Sequence, residues 1–151
     1  MTLPRPPLWT CPRCGHQFVT QNLWHSCSTY TLDHHFGNKD PRIRRLYDRL
    51  LRLIRANGPV TVIPQKTRIA LMTRVRFAAV MPRQQWLDAH LWLTRRAAHP
   101  CLRRIDAYGP RALIHNFRFT ALDDFDPPFS ALVREAYAVG QQQHLPPVRR
   151  R

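Results

Sequence analysis

Three cysteines and a histidine stand near the start of the chain in the order Cys11-x2-Cys14-x10-His25-x-Cys27. Thiolates and a neutral imidazole suit a borderline-soft d¹⁰ ion, and a Cys-x-x-Cys turn supplies two corners of a tetrahedron from one tight loop. The pattern predicts one zinc ion held by Cys11, Cys14, His25 and Cys27. Four protein ligands leave no open position for a reactive water, so the expected ion is structural. A segment this short must draw its folding energy from the metal. Pro12 stiffens the turn, and Gly15 permits a left-handed backbone after the second ligand. Phe18 and Leu23 are expected to build a small apolar core between the ligand pairs. His16 is an alternative to His25, although it follows Cys14 too closely for easy geometry. A redox dithiol fits less well, because such motifs follow a strand and open a helix, and Cys11 has neither context.

The other reactive residue types point to no reaction. Cys101 reads as a small buried hydrophobe, and His34-His35 as a solvated pair in a link. Asp123, Asp124 and Asp126 precede a helix and read as caps and dipole partners. Glu135 is the sole glutamate, so the converging carboxylates of a phosphodiester-cleaving metal site are in short supply. No Gly-rich phosphate loop or nucleophile elbow is present. The chain is expected not to be an enzyme.

Charge points to a partner class. There are 24 Lys+Arg against 9 Asp+Glu in 151 residues, a formal net charge of +15. Such a balance favours polyanions, nucleic acid (DNA or RNA) before anionic membrane surfaces. Two surfaces could make the contact. Arg42, Arg45, Arg49 and Arg52 line one side of a helix and could track a phosphate backbone. Trp86, His90 and Trp92 share one side of a strand, and Arg74 and Arg76 fall out of phase with the core of a hairpin. Aromatic rings among guanidinium groups are what a stacking platform for unpaired bases requires.

These residues need elements to position them. Residues 1–8 are proline-rich and expected to be extended or disordered, residues 9–30 form the zinc-binding knuckle, and 33–39 read as a link. Asp40-Pro41 opens a helix on which Ile43, Leu46, Tyr47, Leu50 and Ile54 recur at helical spacing, and Asn57-Gly58-Pro59 stops it. The period then changes to two. Val60–Ile63 is a short strand, and Arg68–Met72 with Val75–Met81 forms a hairpin across Thr73-Arg74. Ile69, Leu71, Val75, Phe77, Ala79 and Met81 are expected to point inward. Trp86–Leu93 alternates cleanly, and Leu102–Tyr108 and Ala112–Phe119 follow, joined at Gly109-Pro110. A second helix opens near Asp124–Pro128 and ends at Gly140. The expected fold is α+β, an antiparallel sheet of about five strands with two helices on one face, spanning 40–140. Residues 141–151 read as a basic disordered tail.

Two stretches carry a family likeness. Trp9-Thr10-Cys11-Pro12-Arg13-Cys14-Gly15, Trp24-His25-Ser26-Cys27 and Leu32-Asp33-His34-His35-Phe36 make up the first. Val60-Thr61-Val62-Ile63-Pro64-Gln65-Lys66-Thr67-Arg68-Ile69-Ala70, continuing through Arg76-Phe77-Ala78-Ala79-Val80 to Trp86-Leu87, makes up the second. Over roughly residues 9–140 the chain resembles the bacterial domain of unknown function 5655, in its zinc-knuckle-bearing members. The resemblance implies a small α+β domain like those found as accessory units on nuclease-like or DNA-associated modules, and it implies no catalytic residue. Related hairpins often carry glycine at the turn, where Thr73-Arg74 stands here. Gln65, Lys66, Thr67 and Arg68, polar residues at a strand junction, are candidates for contacting phosphate or another anion. The competing reading is a loop that positions the hairpin.

The expectation is a cytoplasmic, zinc-containing binding protein that contacts nucleic acid through a basic surface. The alternative is a protein-interaction or accessory module with a purely structural zinc. No run of about 18 apolar residues suggests a membrane span, and the first residues lack the apolar stretch of a secretory signal.

Overall fold

The computed structural model describes residues 2–3, 5–23, 25, 27, 29–107, 109, 112–145 and 148–149. Of the residues named in the sequence, Trp24, Ser26, Tyr108 and Pro110 lie outside these, as do positions 1 and 4 of the proline-rich start and 146, 147, 150 and 151 of the basic tail. In chain order the elements are β1 (Thr2–Leu3), β2 (Trp9–Thr10), β3 (Gln17–Phe18), α1 (Leu32–Phe36), α2 (Pro41–Arg55), β4 (Thr61–Pro64), β5 (Ile69–Met72), β6 (Arg76–Pro82), β7 (Leu87–Leu93), β8 (Leu102–Ala107) and β9 (Leu113–Phe119). A 3-10 turn (Leu122–Asp124), α3 (Pro127–Gly140) and β10 (Val148–Arg149) complete the chain. The fold is α+β. Its main sheet has six antiparallel strands in the order β4-β5-β6-β7-β9-β8, where about five were expected. A separate two-stranded ladder pairs β1 with β10. Among the described residues no helix is long and apolar enough to cross a membrane.

Local chemistry explains the helices. Asp40 caps α2 by accepting from the Arg42 N–H at 2.9 Å, with Pro41 at the first helical position. Ile43, Leu46, Tyr47, Leu50 and Ile54 form its buried stripe. Asp126 caps α3 through the Phe129 N–H at 2.9 Å, and Asp124 accepts from the Thr120 and Ala121 N–H groups, so two of the three acidic residues here serve the local backbone. α1 occupies part of the stretch expected to be a link. Thr31 caps it by accepting from the His34 N–H at 3.2 Å, and Phe36 is buried. α2 and α3 cover the same face of β6 and β7. Phe129 sits there at 0% exposure, edge-on to Phe117 at 5.3 Å and Phe119 at 4.9 Å, contacts each worth about 0.5–1.5 kcal/mol beyond area burial.

The inward phase of β6 differs from the expected one. Leu71 pairs with Ala78, but Met72 pairs with Arg76, so Phe77 is an extra residue on β6. A one-residue bulge moves every following side chain to the other face. Phe77, Ala78 and Val80 therefore join the core under the helices, while Ala79 lies in register with His90 on the opposite, helix-free face. The connection at residues 73–75 needs no glycine because the Arg74 and Val75 N–H groups both donate to the Gly140 carbonyl at 3.1 Å. The end of α3 holds the turn.

Partners in register share a face of the sheet. A row of Ile63, Ala70, Ala79, His90, Asn116 and Arg104 thus crosses the helix-free face from β4 to β8. β8 is an edge strand in which Arg103 is an extra, unpaired residue.

Candidate metal centre

β2 and β3 form a two-residue ladder, Trp9 opposite Phe18, and the Cys11–Cys14 turn leaves its end. The turn closes through the Gly15 N–H donating to the Cys11 carbonyl and the Cys11 N–H donating to the His16 carbonyl, both at 2.9 Å. Gly15 has φ +77°, a left-handed conformation that costs glycine little. This brings together all four expected ligands: one donor atom each from Cys11, Cys14, His25 and Cys27 lies within 4.8 Å of the others.

The spacings fit a tetrahedral ion. Bonds of about 2.3 Å to sulfur and about 2.05 Å to nitrogen set sulfur–sulfur edges of about 3.8 Å and sulfur–nitrogen edges of about 3.6 Å. The Cys11 and Cys27 sulfurs are 3.8 Å apart. His25 Nε2 lies 3.3 Å from the Cys14 sulfur and 3.5 Å from that of Cys27. His25 Nδ1–H donates to the Leu23 carbonyl at 2.7 Å, which leaves the Nε2 lone pair facing the sulfurs, the outer-shell device expected of a ligating histidine. The Cys14 backbone N–H, with that of Arg13, lowers the Cys11 thiol to about 6 against the opposing effect of burial. Burial first, then the Cys11 and Cys14 sulfurs, push the Cys27 thiol up to about 11. Crowded sulfurs that cannot all ionise freely are what a cation at their centre relieves. The cluster could hold one metal ion.

The small core around it differs from the expected one. Phe18 packs on the His25 ring at 4.4 Å, and Trp9 meets both at 6.3 Å. Leu23 instead is 40% exposed. Trp9, paired in register with Phe18, is the residue that sequence reasoning missed. Its signal was the alternation of an apolar residue just outside each end of the ligand turn.

The loop Gln65–Arg68 joins β4 to β5. His34 Nε2–H donates to the Lys66 carbonyl at 2.8 Å and His35 Nε2–H to that of Gln65 at 2.6 Å. The paired histidines pin this loop and stand apart from the cysteine cluster. The knuckle lies over the adjoining part of the helix-free face and borders a half-open cavity of about 490 Å³, whose lining includes Gln65, Lys66, Thr67, Arg74 and Arg76. Arg68 is not among its walls.

Farther across that face the residues sort differently. His90 and Trp92 lie ring to ring at 6.2 Å, beside a shallow hollow edged by Arg83, Arg103, Arg104 and Arg118. Trp86 has one ring face occupied by the Arg118 guanidinium at 4.2 Å. Asp88 pairs with Arg83 and Arg118, and Asp106 with Arg104. Arg68 and Arg76 have no side-chain hydrogen bond or ion pair among the described residues. Burial, then Arg68, lowers the Arg76 guanidinium from its usual range. Burial, then Arg68 and Arg104, lowers His90. This face carries unrelieved positive charge. On the opposite side of the molecule Arg45, Arg49 and Arg52 edge a second hollow with Asp48 and Asp123, while Arg42 donates to the Gln85 carbonyl at 3.0 Å.

His115 occupies the core face at 0% exposure, with Nδ1–H donating to the Leu113 carbonyl and Nε2 accepting from the Ala97 N–H. Being the neighbour of Asn116, which pairs with His90, it points away from His90, so the two histidines share no pocket. Burial, then Asp124, pushes the Cys101 thiol up to about 11, the reverse of thiolate activation.

No curated protein and no solved structure matches the chain. The profile of a family described as a domain of unknown function (DUF5655) matches residues 32–140, from α1 to the end of α3, and the four candidate metal ligands precede that span. All three helices, the whole six-stranded sheet and the pinned loop fall inside it, and the chain belongs to the DUF5655 family.

Proposed function

We propose that this chain is a zinc-containing binding protein that contacts nucleic acid through the helix-free face of its sheet, without catalysing a reaction. The observation that carries this reading is the unrelieved charge on that face. Burial, then the nearby Arg68 and Arg104, lower the proton affinity of His90, and the carboxylates nearby, Asp88 and Asp106, are already paired. A phosphate backbone relieves such crowding and releases its own counterions. Trp92, half-buried beside His90, offers a ring on which an unpaired base can stack. Zinc is the ion that best suits three thiolates and one imidazole at tetrahedral spacing. Its role is structural, and cysteines kept as thiolate ligands belong in a reducing compartment such as the cytoplasm.

The test is fluorescence anisotropy with labelled single- and double-stranded DNA and RNA, from low to physiological salt. The expected result is sub-micromolar affinity at physiological salt with a preference for one strand type. Replacing Arg103 and Arg104 by alanine should flatten the salt slope by about 0.9 for each duplex phosphate that is no longer neutralised. The same measurement on a variant lacking Arg42, Arg45, Arg49 and Arg52 separates the helix stripe from the sheet face. Weak binding that ignores strand type and vanishes with salt would reject the proposal and favour an accessory protein-interaction module.

A further inference from the structure

The cavity between the knuckle and the sheet has a chemistry of its own. Its floor includes Ile63 and Met72, which with Ala70 form a small apolar cluster on the helix-free face, separate from the main core. Its roof is the knuckle, where Phe18, Val19 and Leu23 face it. Val19 and Leu23 remain 41% and 40% exposed, two of the three large hydrophobic side chains left in solvent among the described residues. A volume of about 490 Å³ falls in the range of small-molecule sites, about 300–1,000 Å³.

Its formally charged groups are Lys66, Arg74 and Arg76, all cationic. Arg76 stands in register with Met72, so its guanidinium leaves the apolar floor, half-buried and without an acceptor among the described residues. Arg74 also lines the cavity, but it is held by Gln142 Oε1 at 3.0 Å and the Pro6 carbonyl at 2.8 Å. Both partners are neutral, so its charge is uncompensated. Lys66 is exposed at the rim. Among the described residues no carboxylate lines the cavity. A half-buried guanidinium with five donors and no acceptor is a costly arrangement that a bound carboxylate or phosphate would relieve, through two parallel hydrogen bonds.

We propose that this cavity binds an organic anion with an apolar body, its head group paired with Arg76 and its body seated between Met72 and the knuckle. Neither polar backbone nor a duplex is required to fill it, so the site is independent of nucleic-acid binding on the uncovered part of the face. Thr67 and Gln65, on the loop pinned by His34 and His35, supply neutral hydrogen-bonding groups at the entrance.

The experiment is isothermal titration of the metal-loaded chain with 2-naphthoate, 2-naphthyl phosphate and uncharged 2-naphthol. At least one of the two anions should bind one per chain and more tightly than 2-naphthol, and whichever is tighter identifies the head group as carboxylate or phosphate. In Arg76→Met that anion should lose roughly 10- to 100-fold in affinity, as for a lost charge-assisted pair, while 2-naphthol changes little. A readout on the unaltered chain guards against misfolding of the variant: the methyl resonances of Met72 and Ile63 should shift on titration with the anion. Binding of 2-naphthol as tight as that of both anions, no saturable binding of either anion, or shifts that spare Met72 and Ile63 would each overturn the proposal.

Discussion

Replacing Cys11 and Cys14 together by serine should leave a chain that folds from α1 onward and carries no stoichiometric metal. The magnitude follows from what the knuckle lacks. Among the described residues from 5 to 31 only Cys11 is buried, and the regular structure there is one two-residue ladder. Ordering about 20 residues costs on the order of 1–2 kcal/mol each in backbone entropy. Trp9, Phe18 and His25 are only half-buried, so each returns less than the about 1.5–3 kcal/mol of a fully buried apolar side chain, far short of that cost. A structural ion supplies about 10–16 kcal/mol, and it is the largest single contribution available to the segment. Metal content of the purified variant should fall from one per chain to none, and chymotrypsin should then cut at Trp9 and Phe18. The main thermal transition should move little, because the core cluster runs from Phe36 to Tyr137. One tightly bound metal per chain in the double variant would refute the ligand assignment. Loss of the whole fold would refute the claim that the knuckle is an energetically separate unit.

Two further predictions concern the domain itself. Gly140→Ala would drive a Cβ into the Phe77 ring at Cδ1 and to 2.8 Å from Thr73 Oγ1; urea denaturation should report a loss of about 1–3 kcal/mol, and an unchanged midpoint would mean that the turn at 73–75 yields freely. Burial holds His115 and His35 below the usual histidine range, so the unfolded chain takes up protons first. The stability they contribute is present above about 6.5 and is lost as pH falls below that value toward their folded-state pKa values. Calorimetry should show the main transition dropping on acidification from neutral pH, with a shallower slope in His115→Gln, whose amide can still accept from the Ala97 N–H; an equal slope in the variant would remove His115 from the account.

Much of the fold was legible because its signals are local. Asp40-Pro41 and Asp126-Pro127 carry cap and first-turn chemistry in two residues each, and the strict alternation of Leu87, Ala89, Leu91 and Leu93 fixes which side of β7 meets the helices. The four donors could be grouped because thiolate and imidazole spacing is itself the geometry. What escaped depends on distant partners. The bulge at Phe77 arises where β6 packs under Tyr137 and Gly140 of α3, residues about 60 positions away. A period-two pattern carries no mark of such an insertion. The roles of His34 and His35 were hidden likewise, since the carbonyls they hold lie 32 and 30 residues on. Nor could the sequence reveal that Trp86 is already covered by Arg118 or that the knuckle roofs part of the sheet.

The extra residue on β8 has a consequence for how copies of this protein behave toward one another. β8 closes one end of an open antiparallel sheet, and a free strand edge invites pairing with a second chain. Arg103, displaced from the ladder, and Arg104 beside it put two exposed cations on that edge. The bulge breaks the flat run of hydrogen-bonding groups, and like charge repels an approaching edge of the same kind. The two arginines thus protect the chain from self-association whether or not they also meet a polyanion. Neutralising them removes this guard as well, so a chain stripped of its charge there gains a tendency to aggregate.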